Sequence, residues 1–463
     1  MSNYETVKDI CIDHDAFLLG KIQEQCRGNQ IAFITSPTSG AILGLKDEGQ
    51  LLYKIDDLNN LWKQLITDAI IFLKQKDTRE EYHDSMTMGT EKLCNFLTEF
   101  QKFEPILYGA VNNYRDHIAH VFRVYFLGQY LITKAIGFKN ISIGKCENIS
   151  KQEKEAMWCI IALTHDLGTA FEKILEINKK VRGMLQEFGN ITVQELGYSY
   201  FTQYGPFSEF VVKFISSDIA EVHDEGKEQL PGGQGGNKAK KFTTHIQSKY
   251  YQKFLAALGN FNHGVMSSII LMKELVFFKE SDYKMDQTKS LVEEDARQFM
   301  IRREILRSVA SHSCDDIYYL KINNFPFLLT VCDEMQEWGR PRLVDVLKRG
   351  ESSTKLTINS FNHKVVDYRV TFDFKSKPSE QEIENAHKEI IKYCLAKRNK
   401  WQNVLRSAVS LGTERELTLN FEVEDGSVTQ HQFYSLKHTN PRDVKLSPES
   451  EKLEEELKPK KVS

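Results

Sequence analysis

Ala162-Leu163-Thr164-His165-Asp166-Leu167-Gly168 places a histidine and an aspartate side by side at the end of an apolar segment. Burying an ionised carboxylate costs free energy unless a cation or a hydrogen-bond network compensates it. His165 and Asp166 together offer one nitrogen and one oxygen ligand to a metal ion. Alone, the pair fits two interpretations equally: a metal site, or a histidine on the dipole of a helix C-terminus followed by a partly exposed aspartate.

Residues 115–124, Arg-Asp-His-Ile-Ala-His-Val-Phe-Arg-Val, supply a further candidate ligand. His120 sits beside the apolar stripe of a predicted helix, and His117, three residues earlier, lies on nearly the same face. We expect His120 to enter the metal site and His117 to support a ligand or contact the substrate. Either histidine alone is also compatible with an ordinary core or surface position.

Three more candidates occur later in the chain. His263 stands just before a helix rich in small residues, and His312 follows an apolar helix. Each alone also suits a position at a helix end. Asp333 lies inside a strongly apolar predicted helix, where an unpaired carboxylate is expensive. We therefore expect Asp333 to face a cation, either a metal ion or an arginine such as Arg340.

The order of these residues along the chain, H…HD…H…H…D, is much more specific than any one of them. It resembles the HD-domain metal-dependent phosphohydrolases over residues 106–348. Residues 333–340, Asp-Glu-Met-Gln-Glu-Trp-Gly-Arg, also look like the last helix of bacterial HD proteins. The resemblance rests on His120, His165, Asp166 and Asp333, with His263 and His312 where two-metal members carry additional histidines.

The resemblance implies one or two divalent metal ions at this site. Two ions about 3.5–4 Å apart lower the pKa of a shared water and neutralise the phosphoryl oxygens, so no serine or cysteine nucleophile is required. Mixed nitrogen and oxygen ligands suit Mn, Fe, Zn, Co or Ni and also allow Mg. The implied ligands are His120, His165, Asp166 and Asp333 for the first ion and His263 and His312 for the second, with Asp166 bridging.

Phosphate recognition needs cations besides the metal ions. Arg115 and Lys173 are the candidates, although the simpler interpretation of each is a solvated surface charge. We group them with Asp166 as candidate catalytic residues. The stretch 167–173 lacks the signatures of the deoxynucleotide triphosphohydrolases and of the cyclic-di-GMP phosphodiesterases, so neither substrate is transferred to this chain.

The expected function is therefore hydrolysis of a small phosphomonoester or phosphodiester, nucleotide-like in type, by a metal-activated water. The alternative is a regulatory or ligand-binding protein that keeps the HD fold without turnover. A nuclease acting on single strands is a third, less favoured possibility. It needs a basic groove, which the net charge of -3 neither supplies nor forbids.

Composition points to an ordinary globular protein. Hydrophobic residues make up 41% of the 463 residues and charged residues 27%. No apolar run approaches the roughly 18 residues that span a bilayer, and the N-terminus lacks the basic and apolar regions of a signal peptide. Eight cysteines without a CxxC pair favour reduced core residues such as Cys159 and Cys332. We expect a cytoplasmic protein that does not contact a membrane.

The predicted fold class is mainly α, a helical HD-domain bundle with a smaller C-terminal α+β module. The expected parts are a mixed N-terminal region (1–105), the helical phosphohydrolase domain (106–348), the module (350–440) and a disordered tail (441–463). Alternating apolar residues predict a ββαββ order in the module, with its helix over 380–409.

Four further predictions are local. Residues 31–34 predict a short strand and residues 36–40 a turn. Residues 208–222 predict one helix. The polar, glycine-rich stretch 225–241 predicts a surface loop or a mobile lid whose lysines meet a phosphate, but it lacks the P-loop pattern.

Overall fold

In the computed structural model the described residues are mainly helical, as the periodicity of apolar residues predicted. They also form a five-stranded and a three-stranded sheet. No single helix among the described residues is long and apolar enough to cross a membrane. The bent pair 248–259 and 263–274, at 97°, passes that length and composition test only jointly. The described residues are 5–46, 55–77, 89–110, 116–144, 148–187, 189, 200–222, 240–279, 290–314, 316–317, 323–340, 352–374, 397, 400, 417–425 and 431–438.

A π-helical turn (Ile132–Ile136) and a 3-10 turn (Phe138–Asn140) follow the fifth helix. The helices are α1 (Ala16–Arg27), α2 (Ser36–Gly44), α3 (Ile55–Gln75), α4 (Thr90–Ala110), α5 (Ile118–Leu131), α6 (Lys151–Thr164), α7 (Thr169–Gln186), α8 (Tyr200–Ser216), α9 (Ser248–Gly259), α10 (His263–Glu274), α11 (Val276–Lys279), α12 (Glu293–Ser311) and α13 (Phe325–Met335). The strands are β1 (Val7–Ile12), β2 (Ser217–Glu221), β3 (Lys241–Ile246), β4 (Leu291–Val292), β5 (Ser352–Phe361), β6 (Val365–Phe374), β7 (Leu417–Asp425) and β8 (His431–His438).

Helix α6 is the central helix of the fold and positions the His-Asp pair. Ser150 begins it with a capping box: its hydroxyl accepts from the Glu153 N–H, and the Glu153 carboxylate accepts from the Ser150 N–H at 2.9 Å. From Ala156 onward its residues are buried on every face. Such a helix needs neighbours all round, so its C-terminal end, and the pair that follows, are held inside the protein.

Helices from the N-terminal region pack directly on α6. Trp62 of α3 is fully buried and donates its indole N–H to the carbonyl oxygen of Leu163, at 2.8 Å. One hydrophobic core therefore extends from residues before 105 into the helices that follow. The domain boundaries at 105 and 350 stay predictions. The buried, unpaired thiols of Cys159 and Cys332 fit the expected reduced core.

The five-stranded sheet joins the two ends of the chain. Its order is β1-β5-β6-β7-β8, and β1 pairs antiparallel with β5. The two predicted strand pairs of the module are confirmed as β5–β6 and β7–β8. Strands β6 and β7 are parallel, which requires a crossover connection. Most of the predicted 380–409 helix lies outside the described residues. Only Lys397 and Lys400 of this range are described, and both are helical.

Three local predictions were wrong. Residues 31–34 form a turn rather than a strand. Residues 36–40 begin α2, because Pro37 lies in the first helical turn, where its missing N–H costs nothing. The helix expected over 208–222 ends at Ser216, and the following residues pair with β3. Residues 225–239 of the glycine-rich stretch, and the tail 441–463, lie outside the described residues.

Candidate metal centre

All six predicted metal ligands come together at the ends of five helices. His120 lies in the first turn of α5, and His263 is the first residue of α10. Asp333 lies near the end of α13. His165 and His312 each follow the last residue of a helix, α6 and α12 respectively, and Asp166 comes next in the chain after His165.

One half of the site gathers around Asp333. The Nε2 atom of His120 lies 3.0 Å from Asp333 Oδ1, and His165 Nε2 lies 3.9 Å from the same oxygen. Asp166 Oδ2 is 3.6 Å from His120 Nε2 and 3.4 Å from His165 Nε2. Two ring nitrogens and two carboxylate oxygens thus face a common centre.

The other half gathers around the second oxygen of Asp166. Oδ1 lies 3.6 Å from His263 Nε2 and 3.6 Å from His312 Nε2, and these two nitrogens are 3.1 Å apart. Asp166 therefore presents one oxygen to each half. This is the arrangement expected of a carboxylate that bridges two cations.

His165 and His312 are fixed by the same local device. Each ring directs Nδ1 at the carbonyl oxygen three residues earlier, that of Ala162 at 2.8 Å and that of Val309 at 2.7 Å. A carbonyl only accepts, so each Nδ1 carries the proton and each Nε2 keeps its lone pair. His165 Nε2 is buried and has no hydrogen-bond partner among the described residues, which leaves a lone pair aimed at the centre.

His120 and His263 are oriented by side chains. His120 Nδ1 donates to Gln336 Oε1 at 2.6 Å; the Gln336 amide nitrogen donates to the Trp338 carbonyl at 2.7 Å, so its oxygen must face the ring. His263 Nδ1 donates to Glu172 Oε2 at 2.5 Å. Metal-binding histidines characteristically donate their other N–H to such partners.

Close approach of α10 to the His-Asp turn depends on a glycine. A Cβ atom on Gly168 would come 2.2 Å from the carbonyl oxygen of His263. Ser267 of α10 closes the contact, because its hydroxyl donates to the His165 carbonyl at 2.7 Å and accepts from the Gly168 N–H at 2.8 Å. His263 therefore reaches Asp166 because residue 168 has no side chain.

Burial sets the charge of the inner ligands. It lowers the pKa of His312 to about 4, and together with the charge of Arg340 it lowers that of His120. Burial alone would raise the pKa of Asp166, but the charge of His165 and the hydrogen bond with His312 bring it well below its usual value. Near neutral pH the rings of His120 and His312 are therefore neutral and Asp166 is ionised, the forms that bind metal ions.

His263 differs from the other ligands. Burial acts to lower its pKa, but the hydrogen bond and charge of Glu172 outweigh burial and raise it. The same contact overcomes the effect of burial on Glu172 and lowers the pKa of that carboxyl to about 2. His263 is therefore the ligand that most readily holds an extra proton.

Two of the candidate catalytic residues have different outcomes. Arg115 lies outside the described residues. Lys173 Nζ lies 3.1 Å from Glu172 Oε1, while the other oxygen of Glu172 binds His263. Lys173 thus borders the His263 side of the site. His117 also faces the centre, with Nε2 3.9 Å from Asp166 Oδ2.

Sequence reasoning missed three residues beside the site. Gln336 follows Asp333 by three residues, a helical spacing that could have placed both on one face. Glu172 lies six residues after Asp166 and had no pattern to mark it. Lys400, whose Nζ lies 3.8 Å from Asp333 Oδ2, is too distant in the chain for any local signal.

The site contains groups that could hold a metal ion. In each of two sets of three residues, the ligand atoms lie within 4.8 Å of one another. Comparison of the chain with protein-family models, with curated proteins and with solved structures gave no match. The two sets share His165: one is His120, His165 and Asp333, and the other is His165, Asp166 and His312.

Proposed function

We propose that this protein is an HD-type metal-dependent phosphohydrolase that acts on a phosphomonoester or phosphodiester, nucleotide-like in type. The observation that supports it most is the convergence of four histidine Nε2 atoms on the two oxygens of Asp166. Nitrogen ligands with fixed tautomers around an ionised, buried carboxylate suit a divalent metal ion better than they suit packing. The orphaned Nε2 of His165 is a buried lone pair that such an ion would satisfy.

In this proposal two ions would be held, and Asp166 would contribute a carboxylate oxygen to each position. Bound Mn, Fe, Zn, Co, Ni or Mg would supply charge neutralisation at phosphorus and would acidify a water. A single bound ion would supply the same two effects, with less positive charge near phosphorus. The residues of the first position are His120, His165, Asp166 and Asp333, and those of the second are His263, His312 and Asp166.

The chain's own residues contribute orientation and protonation state. Gln336 and Glu172 hold two of the rings with Nε2 toward the centre. His117 is largely enclosed, with 14% of its side chain exposed, and this desolvation lowers its pKa to about 3 despite the charge of Asp166. A neutral His117 facing Asp166 can hydrogen-bond to the substrate or to a water, while so low a pKa makes it a poor proton acceptor near neutral pH.

Cysteine nucleophiles fit the site poorly. Cys332 precedes Asp333 in the chain, but burial raises the pKa of its thiol. Cys159 of α6 is buried as well, and its pKa is also raised well above the usual value by burial. Since the thiolate is the reactive form, neither residue is suited to covalent catalysis near neutral pH.

A metal-by-substrate screen tests the proposal. The purified protein is stripped of metal, reloaded with each divalent ion, and assayed on a chromogenic phosphodiester, cyclic nucleotides, and nucleoside mono- and triphosphates. Asp166→Asn should bind less metal and lose hydrolysis, while Asp13→Asn, at an exposed aspartate near the N-terminus, should match the wild type.

The outcomes separate the candidate functions. Metal-dependent hydrolysis that survives Asp166→Asn would overturn the proposal. Tight metal binding without turnover of any substrate would favour the regulatory or ligand-binding alternative. Cleavage of single-stranded nucleic acid in preference to nucleotides would favour the nuclease.

A further inference from the structure

The two histidines of the second candidate metal position lie between residues that hydrogen-bond to each other. Asn262 and Gly264 flank His263 at the start of α10, and Ser313 follows His312 after the end of α12. The Asn262 amide donates to the Ser313 carbonyl at 2.9 Å, and the Ser313 hydroxyl donates to Asn262 Oδ1 at 2.8 Å. The same hydroxyl accepts from the Gly264 N–H at 3.0 Å. These three hydrogen bonds join the two chain segments that carry His263 and His312.

The end of α12 lies unusually close to the first turn of α10. A Cβ atom on Gly264 would come 2.5 Å from Ser313 Oγ and 2.6 Å from the carbonyl oxygen of Val309. Only glycine, which has no Cβ, allows this approach. The Val309 carbonyl also accepts from His312 Nδ1 at 2.7 Å. One backbone oxygen therefore orients the His312 ring and lies against the segment that carries His263.

The orientation of the Asn262 amide is set by the turn in which it lies. Its Oδ1 accepts from the Val265 N–H at 3.3 Å as the N-cap of α10, so its NH₂ group must face Ser313. Its backbone N–H donates to the Ala257 carbonyl at 3.1 Å. Phe261 just before it has φ of 50°, in the left-handed region that bulky residues rarely adopt. Such a conformation persists only where surrounding contacts determine it, so the position of Asn262 is well defined.

The spacing of the two rings suits a single metal ion. His263 Nε2 and His312 Nε2 are 3.1 Å apart, and each lies 3.6 Å from Asp166 Oδ1. Two ring nitrogens that bind one ion at about 2.0–2.1 Å lie roughly 2.9–3.4 Å from each other, for geometries from right-angled to tetrahedral. The two nitrogens therefore have the spacing of neighbouring ligands on one ion.

We propose that Asn262 and Ser313 are positioning residues that hold His263 and His312 at the spacing of two ligands on one ion, so that the second metal position is formed before metal binds. We call this pair the clamp. The inference rests on the proposed phosphohydrolase function and its two-ion site. Each residue of the clamp acts through the histidine next to it in the chain. A ligand pair that is fixed in advance binds an ion with less loss of conformational freedom.

The clamp should act on one of the two metal positions. It joins the start of α10 to the end of α12, the segments that supply His263 and His312. The ligands particular to the first position are His120, His165 and Asp333, which belong to α5, the end of α6 and α13. Loss of the clamp should therefore weaken binding of the second ion and leave the first in place.

The test measures the two Mn²⁺ affinities of the full-length protein by competition with a metallochromic chelator. The EPR spectrum of the Mn²⁺-loaded protein is recorded as well, because two neighbouring Mn²⁺ ions give a coupled signal and a lone ion does not. Ser313→Ala removes the hydroxyl and with it two of the hydrogen bonds, while Ser313→Thr keeps the hydroxyl. Ser268→Ala is the matched control, because the Ser268 hydroxyl also joins α10 to α12, by donating to the Leu306 carbonyl at 2.8 Å.

Ser313→Ala should weaken binding of the second Mn²⁺ about 10-fold or more and that of the first less than about 2-fold. Its EPR spectrum should change from the coupled signal to that of a lone ion when two Mn²⁺ per protein are added. Ser313→Thr should recover most of the lost affinity. Ser268→Ala should keep both affinities, although it should lower the free energy of unfolding.

Two further results follow if the clamp acts as a unit. Asn262→Ala should weaken the second ion in the same way, and the double variant should lose little more than either single variant. Excess Mn²⁺ should restore any hydrolysis lost in Ser313→Ala, because the metal ligands themselves are intact.

Wild-type affinity for the second Mn²⁺ in a folded Ser313→Ala variant would overturn the inference, as would equal losses at both positions or the same loss in Ser268→Ala. If Ser313→Ala does not fold, Asn262→Ala is measured in its place, and wild-type affinity there would overturn the inference too. A wild-type protein that binds only one Mn²⁺ would have the same consequence. Failure of the proposed function looks different, because hydrolysis would then be absent with every substrate or would survive Asp166→Asn, whatever the Mn²⁺ affinities of the clamp variants.

Discussion

His263 Nε2 and His312 Nε2 lie 3.1 Å apart, although each ring donates its Nδ1 proton elsewhere. Two neutral rings would bring two lone pairs together at this distance. Burial acts to lower the pKa of His263, but the hydrogen bond and charge of Glu172 outweigh it and raise the pKa, so of the two rings His263 more readily holds a proton between the two nitrogens. A metal ion at this position must displace that proton.

Metal binding should therefore release protons, and the number released per protein should increase as the pH falls through the raised pKa of His263. Calorimetric titration with Mn²⁺ in two buffers of different ionisation enthalpy measures this number. Glu172→Gln removes the carboxylate that raises the pKa of His263, so this variant should release fewer protons when it binds metal. A wild-type titration without proton release would contradict this assignment.

The number of bound metal ions should depend separately on the ligands of each half of the site, with Asp166 needed for both. Asp333→Asn removes a ligand from one half only and should leave about one ion bound. His312→Asn should do the same for the other half, and Asp166→Asn should lose both. Metal content is measured after dialysis; a wild-type content of one ion, unchanged by either single-half variant, would contradict a two-ion site.

The orientation of His120 should depend on Gln336. Gln336→Leu leaves His120 Nδ1 without its acceptor and should weaken metal binding about 10–100-fold, as is typical for partners of metal-binding histidines. Gln336→Glu keeps an acceptor at the same place, so its metal affinity should fall less than that of Gln336→Leu. Competition with a metallochromic chelator measures the difference, and equal affinities of the two variants would argue against an orienting role.

The metal-free protein should lose stability in acid below the usual pKa of histidine. Burial lowers the pKa of His312 to about 4 and that of His117 to about 3, so the unfolded chain binds more protons than the folded one in this range. Their stabilising contribution is full above about pH 6.5 and is lost as the pH falls toward these values. His263, with its raised pKa, acts in the opposite direction.

Urea unfolding at a series of pH values measures this loss. His312→Asn should give a flatter dependence between pH 6.5 and 4. Bound metal should steepen the dependence, because protonation and metal compete for the same nitrogens. A variant with the same slope as the wild type would show that His312 does not titrate as the structure indicates.

The contact between α5 and α6 should not tolerate a larger residue at position 128. A Cβ atom on Gly128 would lie 1.9 Å from the Trp158 ring, so Gly128→Ala should cost about 1–3 kcal/mol of the free energy of unfolding. Gly183→Ala, in open space on α7, is the control and should stabilise the protein by up to about 1 kcal/mol. Chemical denaturation measures both; similar effects would contradict the close packing.

The sequence alone determined features that depend on near neighbours in the chain. The apolar run before Thr164 predicts a helix and places the His-Asp pair at its end. Period-two alternation predicts β5 and β6 in the same way. Local prediction failed where a segment's structure depends on residues distant in sequence. Strands β1 and β2 form because they hydrogen-bond to β5 and β3 respectively.

The candidate ligands could be predicted from the sequence because a histidine or a carboxylate in an apolar segment is costly to bury. The neighbouring residues in the chain are enough to indicate that cost. Only the tertiary structure decided that the six residues meet, that Asp166 divides its oxygens between two halves, and which ring nitrogens face the centre. It also brought Lys400 to Asp333. These relationships join residues as far apart as α5 and position 400, and their distances follow from how the whole chain packs.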